Sequence, residues 1–330
     1  MKKIFPFIGL FAAFFAAGYF IAVSMDDEPS TVKRTQILLG TVVEIQVRSF
    51  DEDKADDAIS KAFAEIKRID DLFTTYRKGG EVYKINHQTD TIFTIDEEVY
   101  KLMKLSDSLW SLSKGAFDVS LQSLTHAWGF DSDNPSVPST DSIKRAVENS
   151  GWENIFLLKE NKILRRNTVE FNFGAIAKGY AVDKAVEVLK QSGMTAVLVN
   201  AGGEIKGIGD SWRVGVQHPR NRQTLLVKLN LNGKAVATSG DYEQYFEVDG
   251  VRYHHIINPV TGYPAEGLQS ATVIAKNDTW ADAVSTAVFV LGQVEGMKLV
   301  ELLKETEALI IDSNGNKKMS SGFNKFLIKG

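Results

Sequence analysis

A chain of 330 residues, 44% hydrophobic and 24% charged, has the composition of a folded protein with a sizeable core, which excludes broad disorder. Its net charge of −4 gives no electrostatic footprint for nucleic acid. The absence of cysteine excludes disulfides, thiolate metal sites, a cysteine nucleophile and a lipid-modified N-terminal cysteine.

Residues 1–25 read as a signal peptide or membrane anchor. Lys2 and Lys3 precede an uncharged apolar run, Ile4 to Val23, and Asp26, Asp27 and Glu28 follow it. The run is long enough to span a bilayer, and its flanking charges place the body on the far side from the cytoplasm. Small residues in Ala22-Val23-Ser24 suit a cleaved signal equally well. The expected location is the periplasmic face of the inner membrane, or the periplasm. Residues 26–35 are polar and read as a linker, and 36–330 as one folded body.

Along that body, alternation predicts a strand from Leu38 to Val47. Ala55, Ala58, Ile59, Ala62, Phe63, Ile66, Ile69 and Phe73 keep a helical period over Asp51–Tyr76. Asp96 caps a helix to about Ser113, with Gly115 beyond its end. After a loop over 131–141, Asp141 opens a short helix, and Ile155–Leu158 pairs with Lys162–Leu164. A helix over Gly179–Gln191 and a buried strand over Ala196–Val199 follow. Strands fill Trp212–Val251, with turns at Gln217–Arg222, Asn232-Gly233 and Asp249-Gly250. A strand at Ala271–Ala275, helices at Ala281–Leu291 and Glu295–Lys304, and strands at Ala308–Ile311 and Lys317–Met319 complete the chain. This irregular order predicts an α+β, mixed α/β fold rather than a doubly wound sheet.

Chemistry concentrates in a few stretches. In Ala281-Asp282-Ala283-Val284-Ser285-Thr286, three oxygen side chains sit at i, i+3 and i+4 on one face of an otherwise apolar helix. Burying a carboxylate there is costly without a partner, and a hard cation such as Mg²⁺ supplies one. The competing explanation is a helix-dipole Asp with Thr286 bonding back to a carbonyl. Phe171-Asn172-Phe173-Gly174-Ala175-Ile176-Ala177-Lys178 runs from strand to helix, where free N–H groups, the Lys178 cation and a carbonyl such as that of Ala175 can meet phosphate or metal. It lacks P-loop spacing, and taken alone it reads more readily as a plain strand-to-helix turn with a surface Lys. His254 and His255 are adjacent on a strand and therefore point to opposite faces, so they are poor joint metal ligands. Either also reads as a structural residue. Ser239 has no base beside it, which argues against a Ser-His-Asp hydrolase.

Together these stretches resemble the ApbE-type FAD:protein FMN transferases. The matching segments are Leu39-Gly40-Thr41, Gly115-Ala116-Phe117-Asp118, Gly174 to Asp183, Ala201-Gly202-Gly203-Glu204, Thr238-Ser239-Gly240-Asp241-Tyr242, His255 to Gly262 and Ala281 to Ala287. The pattern departs at Leu39, where Met is usual, and at Asn172, Glu204 and Asn258, where Asp is usual. The resemblance implies Mg²⁺-dependent transfer of FMN from FAD to a Thr or Ser hydroxyl of an acceptor flavoprotein, with release of AMP. It implies metal ligands at Asp282, Thr286 and the Ala175 carbonyl. It implies FAD contacts at Leu39, Ala116, Phe117, Asp118, Asn172, Lys178, Ser239 and Ile256, and catalytic roles for His255 and Lys178. The expected acceptors are subunits of exported or membrane redox complexes. A Mg²⁺-dependent FAD pyrophosphatase and a non-catalytic exported flavin-binding protein are the alternatives.

Overall fold

The structure, a computed structural model, describes residues 28–328, so the N-terminal apolar run lies outside the described residues. Strand β1 (Ser30–Leu38) pairs with β2 (Thr41–Ser49) from Ser30↔Ser49 to Leu38↔Thr41, around a tight turn at Leu39-Gly40. Two expectations are corrected here. The linker ends by Ser30 rather than at residue 35, and the strand expected over Leu38–Val47 is broken by a turn in which Leu39 and Gly40 both have positive φ. The strand β1 looks like a linker because it is the exposed edge of its sheet, where only Val32 is buried.

That sheet has eight strands in the order β1-β2-β6-β7-β10-β13-β14-β15. The remaining members are β6 (Ala196–Ala201), β7 (Glu204–Ile208), β10 (Ala235–Gly240), β13 (Leu268–Ala275), β14 (Glu307–Asp312) and β15 (Lys317–Met319), and every pairing is antiparallel. The interior strand β13 is buried along its whole length, because both sheet faces are covered. One face packs on helices α1 (Glu52–Phe73), α6 (Ala177–Gln191) and α7 (Asp278–Leu302). The other is covered by the hairpin of β8 (Arg213–His218) and β9 (Asn221–Asn230), through Trp212, Val214, Val216 and Leu229.

Smaller pieces surround this frame. Helices α2 (Glu81–Asn86) and α3 (Glu97–Leu112, capped by Asp96) precede α4 (Gln122–Trp128) and α5 (Thr140–Glu148). Strands β3 (Ile92–Thr94), β4 (Ile155–Leu157) and β5 (Lys162–Arg165) form a separate sheet. Strands β11 (Tyr245–Val248) and β12 (Val251–His254) form a hairpin whose Phe246 and Tyr253 pack on Trp128.

Helix α7 is long and apolar enough to cross a bilayer, yet it is a core helix, with Ala281, Ala283, Val284, Ala287, Val288 and Phe289 all fully buried. It starts three residues before the expected Ala281, since Asn277 accepts the Trp280 amide at 2.9 Å and so caps it. Its helical geometry breaks at Gly292 (φ 74°, ψ −172°), which separates the two helices expected on either side.

Candidate active site

The site grows from the crossing of α6 and α7. Upstream of α6, Phe171 and Phe173 are buried, and Asn172 between them accepts the Gly174 amide at 2.8 Å and donates to Gln122 Oε1 at 2.8 Å. The N-cap residue of α6, Ile176, has no side chain to cap with. Its place is taken from α7: the Gly179 amide donates to Asp282 Oδ2 at 2.9 Å. The helices approach so closely that a Cβ on Gly179 would lie 2.3 Å from the Asp278 carbonyl oxygen and 2.7 Å from Asp282 Cβ. Only glycine fits. Because the Gly179 amide is spent on Asp282, no donor among the described residues reaches the Ala175 carbonyl.

The face expected on α7 is present, with one member redirected. Ser285 is fully buried and donates back to the Asp282 carbonyl at 2.8 Å, and it meets Ser239 Oγ at 2.7 Å. It therefore performs the back-bonding expected of Thr286. Thr286 Oγ1 stays half-buried, 3.1 Å from Ser239 Oγ at the end of β10. Burial, reinforced by Glu204, pushes the Asp282 carboxyl up to about 7, while Lys178 and the Gly179 amide oppose the shift.

Lys178 Nζ lies 2.6 Å from Glu204 Oε1, and the second Glu204 oxygen is buried without a partner. Burial works against the Lys178 charge, but Glu204, Asp282 and Glu243 hold the ammonium above the ordinary lysine range. Burial drives the Glu204 carboxyl up against the pull of Lys178. Of these opposed effects the short ion pair governs the lysine, which stays charged at neutral pH. Glu204 opens β7 immediately after the Gly202-Gly203 turn, and a Cβ on Gly202 would lie 2.4 Å from Thr41 Oγ1. The Leu39-Gly40-Thr41 turn therefore sits against the strand that carries Glu204.

The two histidines separate as the strand register predicts. His254 is buried, with Nε2 2.9 Å from the Ala265 carbonyl and its ring edge-on to Phe289. His255 is exposed. Its Nδ1 donates to the Gln244 carbonyl at 3.2 Å, which leaves Nε2 as the acceptor nitrogen. Desolvation, then the Lys178 charge, lower this imidazole below its ordinary range.

Other predicted contacts fall differently. The Phe117 ring is wholly buried in the core, so a side-chain flavin contact there is corrected. Asp118 is committed to the Ser120 amide at 2.7 Å, the Ser120 hydroxyl and the Trp152 amide at 3.1 Å, and burial pushes it up to about 6. Ile256 packs into the core. Ala116 is half-buried in the turn after α3, and the Asn172 amide bonds the Val119 carbonyl at 2.8 Å, which ties this segment to the α6 approach. The sequence reading missed Glu243. It placed Glu204 in the Gly202-Gly203 motif but gave it no role at the site.

Among the described residues no three His, Asp or Glu side chains converge as a metal cage. The set at hand is instead one carboxylate, one hydroxyl and one carbonyl. That suits a hard octahedral ion which keeps waters and shares phosphate oxygens.

A sequence profile of the ApbE family matches residues 39–310. An FAD:protein FMN transferase of Klebsiella pneumoniae is 31% identical over 290 residues, covering 86% of this chain and 90% of the relative. One from Vibrio cholerae is 34% identical over 280 residues, covering 80% and 83%. The crystal structure of the ApbE protein of Thermotoga maritima superposes with a TM-score of 0.84 at 36% identity, covering 91% of this chain and 100% of that one. The apo flavinyl transferase ApbE of Pseudomonas stutzeri gives 0.82 at 29% identity, covering 93% and 100%. With the fold, the α6–α7 crossing and the matched span in agreement, the chain belongs to the ApbE family.

Proposed function

We propose that this protein is an FAD:protein FMN transferase that requires Mg²⁺, uses a Thr or Ser hydroxyl of an acceptor flavoprotein and releases AMP. The observation that carries the reading is the diversion of the Gly179 amide to Asp282, which leaves the Ala175 carbonyl without a donor among the described residues and ties the start of α6 to the helix that carries Asp282 and Thr286. Mg²⁺ held by Ala175, Asp282 and Thr286 would neutralise charge on the FAD pyrophosphate. Lys178 adds a fixed positive charge, and Glu204 holds its ammonium in place.

The acceptor oxygen forms a bond to the FMN phosphorus while the bond from that phosphorus to the bridging oxygen breaks, and AMP leaves with the bridging oxygen. The acceptor's proton passes to the open Nε2 of neutral His255. A lowered pKa makes a weaker base, so His255 would orient the hydroxyl as well as take its proton. The flanking charges Lys2, Lys3, Asp26, Asp27 and Glu28 support an exported body, and hence acceptors in exported or membrane redox complexes.

The test is incubation with FAD, Mg²⁺ and a candidate acceptor, followed by AMP quantification and intact mass of the acceptor. Equal AMP and covalent FMN is the expected result. AMP with free FMN alone identifies a pyrophosphatase, and no AMP at all identifies a flavin-binding protein.

A further inference from the structure

Helix α7 needs acceptors for its first N–H groups, as every helix does. Asn277 takes the Trp280 amide at 2.9 Å. The amides of Asp278 and Thr279 go to Asp183 on α6, at 3.0 and 2.8 Å, and the Thr279 hydroxyl donates to the same carboxylate at 2.5 Å. A fourth donor, Lys206 Nζ on β7, reaches Asp183 at 2.6 Å. The arrangement is reciprocal. Asp282 of α7 caps the start of α6 through Gly179, and Asp183, one turn beyond Gly179, caps the start of α7. The two N-termini lock each other, with Gly179 as their point of contact.

We infer that Asp183 is a positioning residue for the metal site: by fixing the first turn of α7 it sets where the Asp282 carboxylate and Thr286 hydroxyl stand relative to the Ala175 carbonyl. Asp183 itself lines a groove of about 670 Å³ with Tyr180, Lys184, Lys206 and Thr279, and its oxygens are taken by the α7 amides, the Thr279 hydroxyl and Lys206. It therefore acts through Asp282. Lys206 supplies the counter-charge that lets a carboxylate stand beside Asp278, whose own two oxygens are buried without partners. Loss of Asp183 would strand two amides and the Lys206 ammonium together, and α7 would be free to shift along α6.

This inference rests on the reading of Asp282, Thr286 and Ala175 as metal ligands. It is tested on the full chain by measuring binding of Mn²⁺, as a spectroscopic stand-in for Mg²⁺, by electron paramagnetic resonance, together with AMP release at increasing Mg²⁺. Asp183→Ala is expected to weaken metal affinity by roughly tenfold or more, the usual cost of removing a group that orients a ligand. Excess Mg²⁺ should then restore AMP release, and FAD binding should hold. Asp183→Asn keeps an acceptor oxygen for the helix amides and should fall in between. Glu187→Gln, in an exposed pair with Lys184 on the same helix, should leave metal affinity unchanged. If Asp183→Ala does not fold, Thr279→Val removes one donor to Asp183 and should still lower metal affinity measurably. Wild-type metal affinity in folded Asp183→Ala, or in Thr279→Val where Asp183→Ala does not fold, overturns the inference. A wild-type chain that binds no metal overturns instead the reading of the site beneath it.

Discussion

The Gly179 amide and the Asp282 carboxylate, 103 residues apart in sequence, meet at 2.9 Å and join the two helices that carry the site. Asp282→Ala is therefore expected to do two things. It removes the acidic ligand of the proposed metal, so AMP release should vanish. It also uncaps α6, at a cost of about 1 kcal/mol. Thermal unfolding and AMP assays on one preparation separate the effects. Full activity in Asp282→Ala, or in excess EDTA, is incompatible with the proposed metal.

Gly179→Ala should be worse for the fold than its size suggests. The new methyl would meet the Asp278 carbonyl at 2.3 Å, and backbone cannot rotate away as a side chain can. A loss of roughly 1–3 kcal/mol is the usual cost of overpacking. Reduced metal affinity should accompany it, since the same crossing places Asp282. A denaturant midpoint equal to that of wild type would show that the helices do not cross this tightly.

The pH dependence should reside in metal binding. The Asp282 carboxyl is pushed up to about 7 from 3.8, so below about 7 a proton competes with the cation. Apparent Mg²⁺ affinity should rise with pH and level off above that value. The sign for stability follows. Between 3.8 and about 7 the folded state holds the extra proton, so this group makes the metal-free protein less stable as pH rises. Added Mg²⁺ should raise the melting temperature more at pH 8 than at pH 5.5. A Mg²⁺ affinity independent of pH would contradict this.

At saturating Mg²⁺, any rise of transfer with pH that His255 contributes should lie below the ordinary imidazole range, because its pKa is lowered. His255→Ala should slow transfer while FAD still binds. His254→Ala should instead lower stability, by about 0.5–3 kcal/mol, because it empties a buried place against Phe289. An inactive His254→Ala beside a normal His255→Ala would reverse the assignment. Normal transfer in both would leave the metal site to activate the hydroxyl.

Lys178→Met should cut the rate of AMP release by about 10²–10³, the scale for loss of a group that stabilises transition-state charge. It also leaves Glu204 buried without its ammonium, so Glu204→Gln should recover some stability in the double variant. Equal melting temperatures for the single and double variants would count against the ion pair.

Much of this was legible in sequence because the helical period and the i, i+3, i+4 oxygens of α7 are local facts. The cap at Asp96 and the paired strands around Glu160-Asn161 were legible for the same reason. What escaped was set by distant partners. Alternation runs through Leu38–Val47, and only the antiparallel pairing with β1 around the Leu39-Gly40 turn reveals that Thr41 starts a second strand. The short helices α2 and α4 carry too few turns for a period to show. Phe117 stands in a motif beside residues predicted to hold FAD, yet its ring faces the core, which sequence alone does not specify. Asp183 ended a matched motif without a role until the start of α7 was placed against it.

The strand order has a kinetic consequence. The proposed site draws on Ala175, Glu204, Ser239, His255 and Asp282, which arrive on segments separated by tens of residues, and β13 reaches its place beside β10 only after much of the chain is available. Such non-local pairing is slow, on the order of milliseconds to seconds. Ligand affinity should therefore appear late in refolding, after most helical signal has returned, and metal binding would serve as a clock for the last strands to dock.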